Sequence, residues 1–191
     1  MSSNLTETKR RLITILQEDG RAPLVKLSSK LGISHVAVKK NLENMLNSDI
    51  VKISALINPK KLGVRLVLLL LECRDYKCQE EILEKFSECP RIIFLSPMIG
   101  GYNLIAIMIA ESMKVLESIT TICAIRAHKG IRRSELIILG DPVYPSHLPI
   151  RLIEDRKRRT APCGFNCCRC QRYLEDKCLG CPATRCYRGF L

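Results

Sequence analysis

Apolar residues follow one period before residue 58 and another after it. In the first stretch they recur every three to four positions, the spacing of one face of an α-helix. Over residues 6–17 the stripe is Leu12, Ile13, Ile15 and Leu16, and Glu18-Asp19-Gly20 stops it. A second segment opens with Pro23, whose fixed φ suits a first helical turn, and carries Leu24, Leu27 and Leu31. Gly32 follows as a turn residue. Ser34 is placed to cap a third helix in which Val38, Leu42, Met45 and Leu46 share a side. Two short helices joined by Gly32-Ile33-Ser34 make a helix-turn-helix.

Beyond Asn58-Pro59 the pattern changes to short apolar runs separated by amphipathic segments. VRLVLLLLEC (64–73), RIIFL (91–95), NLIAIMIA (103–110) and ELIIL (135–139) read as strands. Residues 77–88 carry Ile82, Leu83 and Phe86 at helical spacing, and 112–126 align Val115, Leu116, Ile119, Ile122 and Cys123. This order predicts a ferredoxin-like βαββαβ unit, an antiparallel sheet with both helices on one face. Its other face is apolar, so a second copy of the chain is expected to cover it. The predicted class is α+β, in four parts. A helix-turn-helix domain spans 1–58 and a ferredoxin-like oligomerisation domain 59–140. A basic linker over 141–160, with three prolines, leads to a small cysteine-rich module over 161–191.

Charge then narrows the partners. The formal net charge is +12 and the pI about 9.3, which favours an anionic partner. Residues 1–58 hold nine Lys/Arg against five Asp/Glu, and 151–191 hold ten against four, while the middle is nearly neutral. Basic ends on a neutral centre suit binding ends on an assembly core. The second helix of a helix-turn-helix enters the major groove of double-stranded DNA with its first residues near base edges. Ser34, His35 and Val36 hold that position, and Lys39 and Lys40 can neutralise phosphates. The rival reading is a three-helix bundle used only for protein contacts.

Other functions find little support. There is no catalytic triad, phosphate-binding loop or convincing pair of carboxylates, so no enzyme is expected; His128 and His147 read as isolated loop residues. The first residues lack the apolar core of a secretory signal. The apolar runs at 66–71 and 104–110 fall well short of the ~20 residues a membrane helix needs. A cytoplasmic protein without membrane contact is the expectation, and Cys73, Cys78, Cys89 and Cys123 read as small packing residues.

The stretch LITILQEDGRAPLVKLSSKLGISHVAVKKNLENMLNSDIVKISALINPKKLG resembles the N-terminal domain of the leucine-responsive/AsnC-type (feast/famine) transcription regulators. QEDGR, the LGIS turn and INPKKLG carry the likeness, and the βαββαβ pattern is similar to that family's regulatory domain, so about residues 5–140 are covered. The resemblance implies a DNA-binding regulator built of dimers, often assembled further. It also implies a small effector, commonly an amino acid, bound between subunits near a glycine turn. The family's Gly-x-Tyr-Asp turn appears as Gly100-Gly101-Tyr102-Asn103, and a later segment as Gly130-Ile131-Arg132-Arg133-Ser134. Asn103 removes an acidic charge that could hold an amino group, and Ser134 keeps only a hydroxyl. The effector is therefore different or absent, or both glycines merely make turns and pack subunits.

Seven of the eleven cysteines fall after residue 160, in a run that begins CGFNCCRC. Clustered thiols in a reducing compartment are more often metal ligands or redox groups than structural disulfides. The C-x-x-C pairs Cys167/Cys170 and Cys178/Cys181 supply the four sulfurs of a tetrahedral zinc site. Alternatively Cys163, Cys167 and Cys170 join Cys178, Cys181 or Cys186 around a [4Fe–4S] cluster. One metal centre, zinc or cluster, is expected, because so short a segment cannot build its own core. The spacing is also similar to small cysteine-rich metal-binding modules attached to various proteins. A metal-free tail of labile thiols is the alternative. Radical enzymes sharing C-x3-C-x2-C need a large barrel, for which too few residues remain. The reading is a transcription regulator modulated by its cysteine cluster; the rival is a metal- or redox-carrying adaptor whose helical domain does not bind DNA.

Overall fold

Thr6 and Ser34 each accept a hydrogen bond from the backbone N–H three residues ahead, at 3.4 and 3.2 Å. These caps start helices α1 (Glu7–Glu18) and α3 (His35–Asn47). The computed structural model describes residues 5–122 and 125–191, and the chain divides into two units between Ala55 and Leu56. In the first unit α2 (Leu24–Leu31) follows Pro23, which stands just before the helix rather than inside its first turn. Gly32 ends α2 at φ +68°, a conformation glycine reaches without a Cβ penalty. Leu12, Leu27, Leu31, Val38 and Met45 form the core of this unit, with Leu42 at its edge. Leu46, expected on the same side, is partly exposed: it lies one step round the helix from buried Met45.

The second unit begins with a short helix α4 (Pro59–Leu62), capped by the Asn58 side chain. Then come β1 (Arg65–Cys73), α5 (Tyr76–Phe86), β2 (Ile92–Pro97), β3 (Leu104–Ala110), α6 (Met113–Thr121) and β4 (Ile131–Leu139). The strands lie in the order β2-β3-β1-β4, every neighbouring pair antiparallel, which is the expected ferredoxin-like sheet. Alternate residues Val67, Leu69 and Leu71 of β1 and Leu104, Ala106 and Met108 of β3 pack on Ile82, Phe86, Val115 and Ile119 of the helices. Gly130 approaches α5 so closely that a Cβ there would sit 2.2 Å from the Cys78 sulfur.

Two elements differ from expectation. Strand β4 starts at Ile131, four residues earlier, because it is an edge strand whose Arg132 and Arg133 reach solvent and break the apolar pattern. Helix α6 ends at Thr121, short of residue 126. Cys123, assigned to its apolar face, lies outside the described residues.

After β4 the chain turns back over the sheet. Leu148 and Ile57 exchange two backbone hydrogen bonds of 2.9 Å, and Arg151 donates to the carbonyls of Ser87 and Ile92 at 3.0 and 3.1 Å. Ile150, Tyr187 and Leu191 bury against Val64, Leu66 and Ile109, on the sheet face turned away from α5 and α6. A 3₁₀ turn (Cys167–Arg169) and a one-turn helix α7 (Gln171–Leu174) complete the segment.

One buried ion pair fastens this segment. Arg91, just before β2, pairs with Glu111, just after β3, their side chains only 7% and 2% exposed. Glu111 also accepts from the Tyr187 hydroxyl, and Arg91 donates to the Gly180 carbonyl at 2.8 Å. Burial and the bond to Glu111 push the Tyr187 phenol well above its usual range. Removing one partner of a buried pair strands the other charge. Glu111→Gln should therefore cost about 3–5 kcal/mol in urea unfolding. A loss under about 1 kcal/mol, the value of an exposed pair, would show that this pair does not fasten the segment.

Candidate functional site

Three groups of residues carry chemistry, and the fold treats them differently. In the first unit Ser34 is committed to its cap, accepting from the Ala37 N–H. His35, Val36, Lys39 and Lys40 are all exposed on one side of α3, opposite buried Val38 and Met45. Val36 is 77% exposed. Lys39 lies 3.8 Å from Glu43 in an exposed i,i+4 pair, which contributes little and yields easily to a phosphate.

The second group is the turn before β3. Asn103 is bound into the scaffold: its Oδ1 accepts from the Cys73 N–H and its Nδ2 donates to the Cys73 carbonyl, both at 2.8 Å. Its own carbonyl accepts from the Gln79 side chain. An amide provides one donor and one acceptor, which a carboxylate at this position would not. Gly100, Gly101 and Tyr102 meet β4 instead. The Tyr102 hydroxyl donates to Glu135 at 2.9 Å, and Arg133 stacks 4.4 Å from the Tyr102 ring centre while donating to the Gly101 carbonyl at 3.3 Å. Arg133 also pairs with Glu72 at 3.4 Å. The bond to Glu135 raises the Tyr102 pKa. Ser134 does not join this cluster. Adjacent strand residues point to opposite faces, and its hydroxyl accepts from Arg126 at 2.9 Å on the helix side of the sheet.

The third group is the cysteines. Cys163, Cys167, Cys170, Cys178 and Cys181 line one cavity of about 80 Å³. Cys186, the sixth candidate ligand, is instead disulfide-bonded to Cys168. Among the described residues no three His, Cys, Asp or Glu side chains converge as a single metal ion requires. A hydrogen bond with Cys167 holds the Cys181 thiol down to about 7, against the upward push of burial; the Ala183 N–H and Arg91 assist. Burial raises Cys163. The cavity's other wall comes from the sheet domain, including Cys89, Arg91, Ser118 and Ile119.

Several of these residues lay outside the sequence expectations. Cys89 and Arg91 are about 70 positions before the cysteine cluster, and only the fold brings them to it. Arg133 and Glu135 had a usable signal: they alternate along β4, so both face the Tyr102 side. His128 is less isolated than its position in a loop suggests, lying 3.7 Å from the Cys78 sulfur and 3.6 Å from Glu81.

Residues 5–45 match the model of the AsnC-type helix-turn-helix domain. The chain is 31% identical over 117 residues to the HTH-type transcriptional regulator LrpA of Pyrococcus horikoshii, spanning 60% of this chain and 82% of that protein. Among solved structures, the leucine response regulatory protein of Mycobacterium tuberculosis superposes with a TM-score of 0.66 at 21% identity, covering 77% of this chain and 100% of that one. A Neisseria meningitidis transcriptional regulator, described as a complex with L-Met, gives 0.66 at 17% identity over 77% and 96%.

The Asn103 contacts generate a direct test. Asn103→Ala leaves the Cys73 N–H and carbonyl without their side-chain partners, and should cost about 1–3 kcal/mol. Denaturant unfolding, with faster hydrogen exchange at the Cys73 amide, reads it. An unchanged midpoint would show that water replaces the amide without loss.

Proposed function

Because this chain belongs to the AsnC/Lrp-type family of helix-turn-helix transcriptional regulators, we propose that it reads its operator with α3 in the major groove. The observation that carries this is the division of α3 into two sides: Val38 and Met45 inside, His35, Val36, Lys39 and Lys40 outside. His35 can hydrogen-bond a base edge, and Val36 can pack on a thymine methyl. Lys39 and Lys40 contact phosphates. The protein acts in the cytoplasm, without a catalytic step of its own. Among the described residues no helix is long and apolar enough to cross a membrane.

A regulator of this kind works as a dimer, and the sheet supplies the surface. Leu68, Leu70, Ile105 and Ile107 are only partly buried, and beside them Phe94 is 49% and Ile137 39% exposed. The cover is a second copy of the chain, since apolar contact between identical faces is the simplest closed assembly. An amino-acid-like effector binds near the Gly100–Asn103 turn, where Arg133 offers a guanidinium to a carboxylate and Glu72 and Glu135 offer oxygens to an amine. Ser134 contributes from the opposite face only through Arg126.

Selection on random duplex DNA should enrich one pseudo-palindromic site; no enrichment would sink the operator reading. On that site the Lys39→Ala/Lys40→Ala double variant should lower the slope of log K against log salt by about 3.6, as two lost phosphate contacts in each protomer of the dimer require. A slope equal to the wild type would remove both lysines from the interface. Phe94→Glu should convert the dimer to a monomer in light scattering at micromolar concentration. A dimer that survives it would place the assembly surface elsewhere.

A further inference from the structure

The cysteine-lined cavity is not accounted for by DNA binding, effector binding or dimerisation. We propose that it holds a [4Fe–4S] cluster ligated by Cys163, Cys167, Cys170 and Cys181. The inference is independent of the DNA-binding reading and stands or falls apart from it.

Geometry decides between the thiolate-bound centres. A structural zinc site gathers four sulfurs within about 2.3 Å of one point. Among the described residues no three ligand side chains converge in that way. The cysteines instead surround a volume. A cubane cluster asks for that arrangement, since its four irons sit at separate corners and each takes its own thiolate, and the Cys167–Cys181 hydrogen bond opens to admit it. The cavity measures about 80 Å³. A single water needs only about 10–15 Å³ on the same kind of measure, so there is room for a polyatomic group.

The choice of ligands follows from chain and packing. Cys163, Cys167 and Cys170 come from one compact loop that the 3₁₀ turn bends back, with the Gly164 N–H bonded to the Ala161 carbonyl at 2.8 Å. Cys181 packs with Cys163 and Cys167 around Ala161 and Ala183, which makes it the fourth sulfur. Cys178 lies on the same rim. The loop carrying Cys181 is fixed from the sheet domain, because Arg91 donates to the carbonyl of adjacent Gly180. Arg91 also stands at the wall, its guanidinium paired with Glu111. Ile119, Ile122 and Tyr173 complete a largely apolar lining. The Cys168–Cys186 disulfide lies outside this lining and ties the 3₁₀ turn to the last residues of the chain.

The test uses the full chain, purified without oxygen and reconstituted with ferric iron, sulfide and dithiothreitol, the thiol supplying the electrons for assembly. After desalting, about four irons and four acid-labile sulfides per chain are expected, with broad visible absorption and an electron paramagnetic resonance signal on reduction. The Cys167→Ser/Cys181→Ser variant should lose most of that iron, whereas Cys168→Ser and Cys178→Ser keep it. Circular dichroism reports whether each variant is folded. If the double variant does not fold, the metal, sulfide and resonance measurements on the wild type carry the test alone. A colourless protein with one zinc per chain overturns the proposal, as does folded protein that retains neither metal. Iron retained by the folded double variant, or lost from folded Cys178→Ser, overturns the ligand assignment.

Discussion

The Arg91–Glu111 ion pair is the constraint on which the second unit depends. A guanidinium and a carboxylate this deeply buried are tolerable only if their remaining hydrogen-bonding groups are satisfied. The satisfaction comes from the far end of the chain: the Tyr187 hydroxyl reaches Glu111 and the Gly180 carbonyl reaches Arg91. Tyr187 in turn accepts from the Leu191 N–H at 3.1 Å and lies under the Arg156 guanidinium. The last residues are therefore part of the sheet domain's polar economy, and Leu179 packs against both of its apolar cores. A cysteine-rich segment that could not fold on its own apolar content is ordered by a charge pair it does not contain.

The same segment answers a problem that every open sheet presents. Strand β2 is an edge, and its backbone groups are available to any passing strand. Arg151 takes the Ile92 carbonyl, and Arg158 reaches Glu88 at 3.3 Å beside it. On the face away from the helices, Ile150, Tyr187 and Leu191 cover the end of the sheet around Leu66 and Ile109. The centre of that face, around Leu68, Phe94 and Ile107, stays open. The tail thus covers one part of the apolar surface and leaves the other uncovered.

How much of this was legible in the sequence depended on the range of the interactions involved. The helix-turn-helix was readable because its signals are local: Ser34 caps three residues ahead, Gly32 supplies the left-handed turn, and Val38 and Met45 repeat at helical spacing. The central strands were readable because burial on both faces makes continuous apolar runs, as in Leu66–Leu71. Strand β4 was half-legible, since an edge strand has one face in water and Arg132-Arg133-Ser134 resembles a loop. The cysteine cavity was legible only in its own cysteines. That Cys89 and Arg91 form its far wall follows from strand order, which no local pattern encodes. The contacts of Asn103 were out of reach for a related reason. Compared only with the residue it replaces, it looked like a lost charge; in place, its amide is matched to both backbone groups of Cys73.

The ion pair beside the cysteine cavity stands at the ends of two strands that also form the open sheet face. Arg91 leads directly into β2, which carries Phe94, and Glu111 follows directly from β3, which carries Ile107. Phe94 and Ile107 are cross-strand partners on the open face. Closely packed interiors shift between discrete arrangements rather than deforming continuously. The loop at Gly180 is bonded to Arg91, and Arg91 leads into the pairing of β2 with β3. The backbone bond from Ile109 N–H to the Arg91 carbonyl, at 2.8 Å, makes that path covalent on one side and hydrogen-bonded on the other. The cysteine segment and the open sheet face are thus joined through the ends of two adjacent strands.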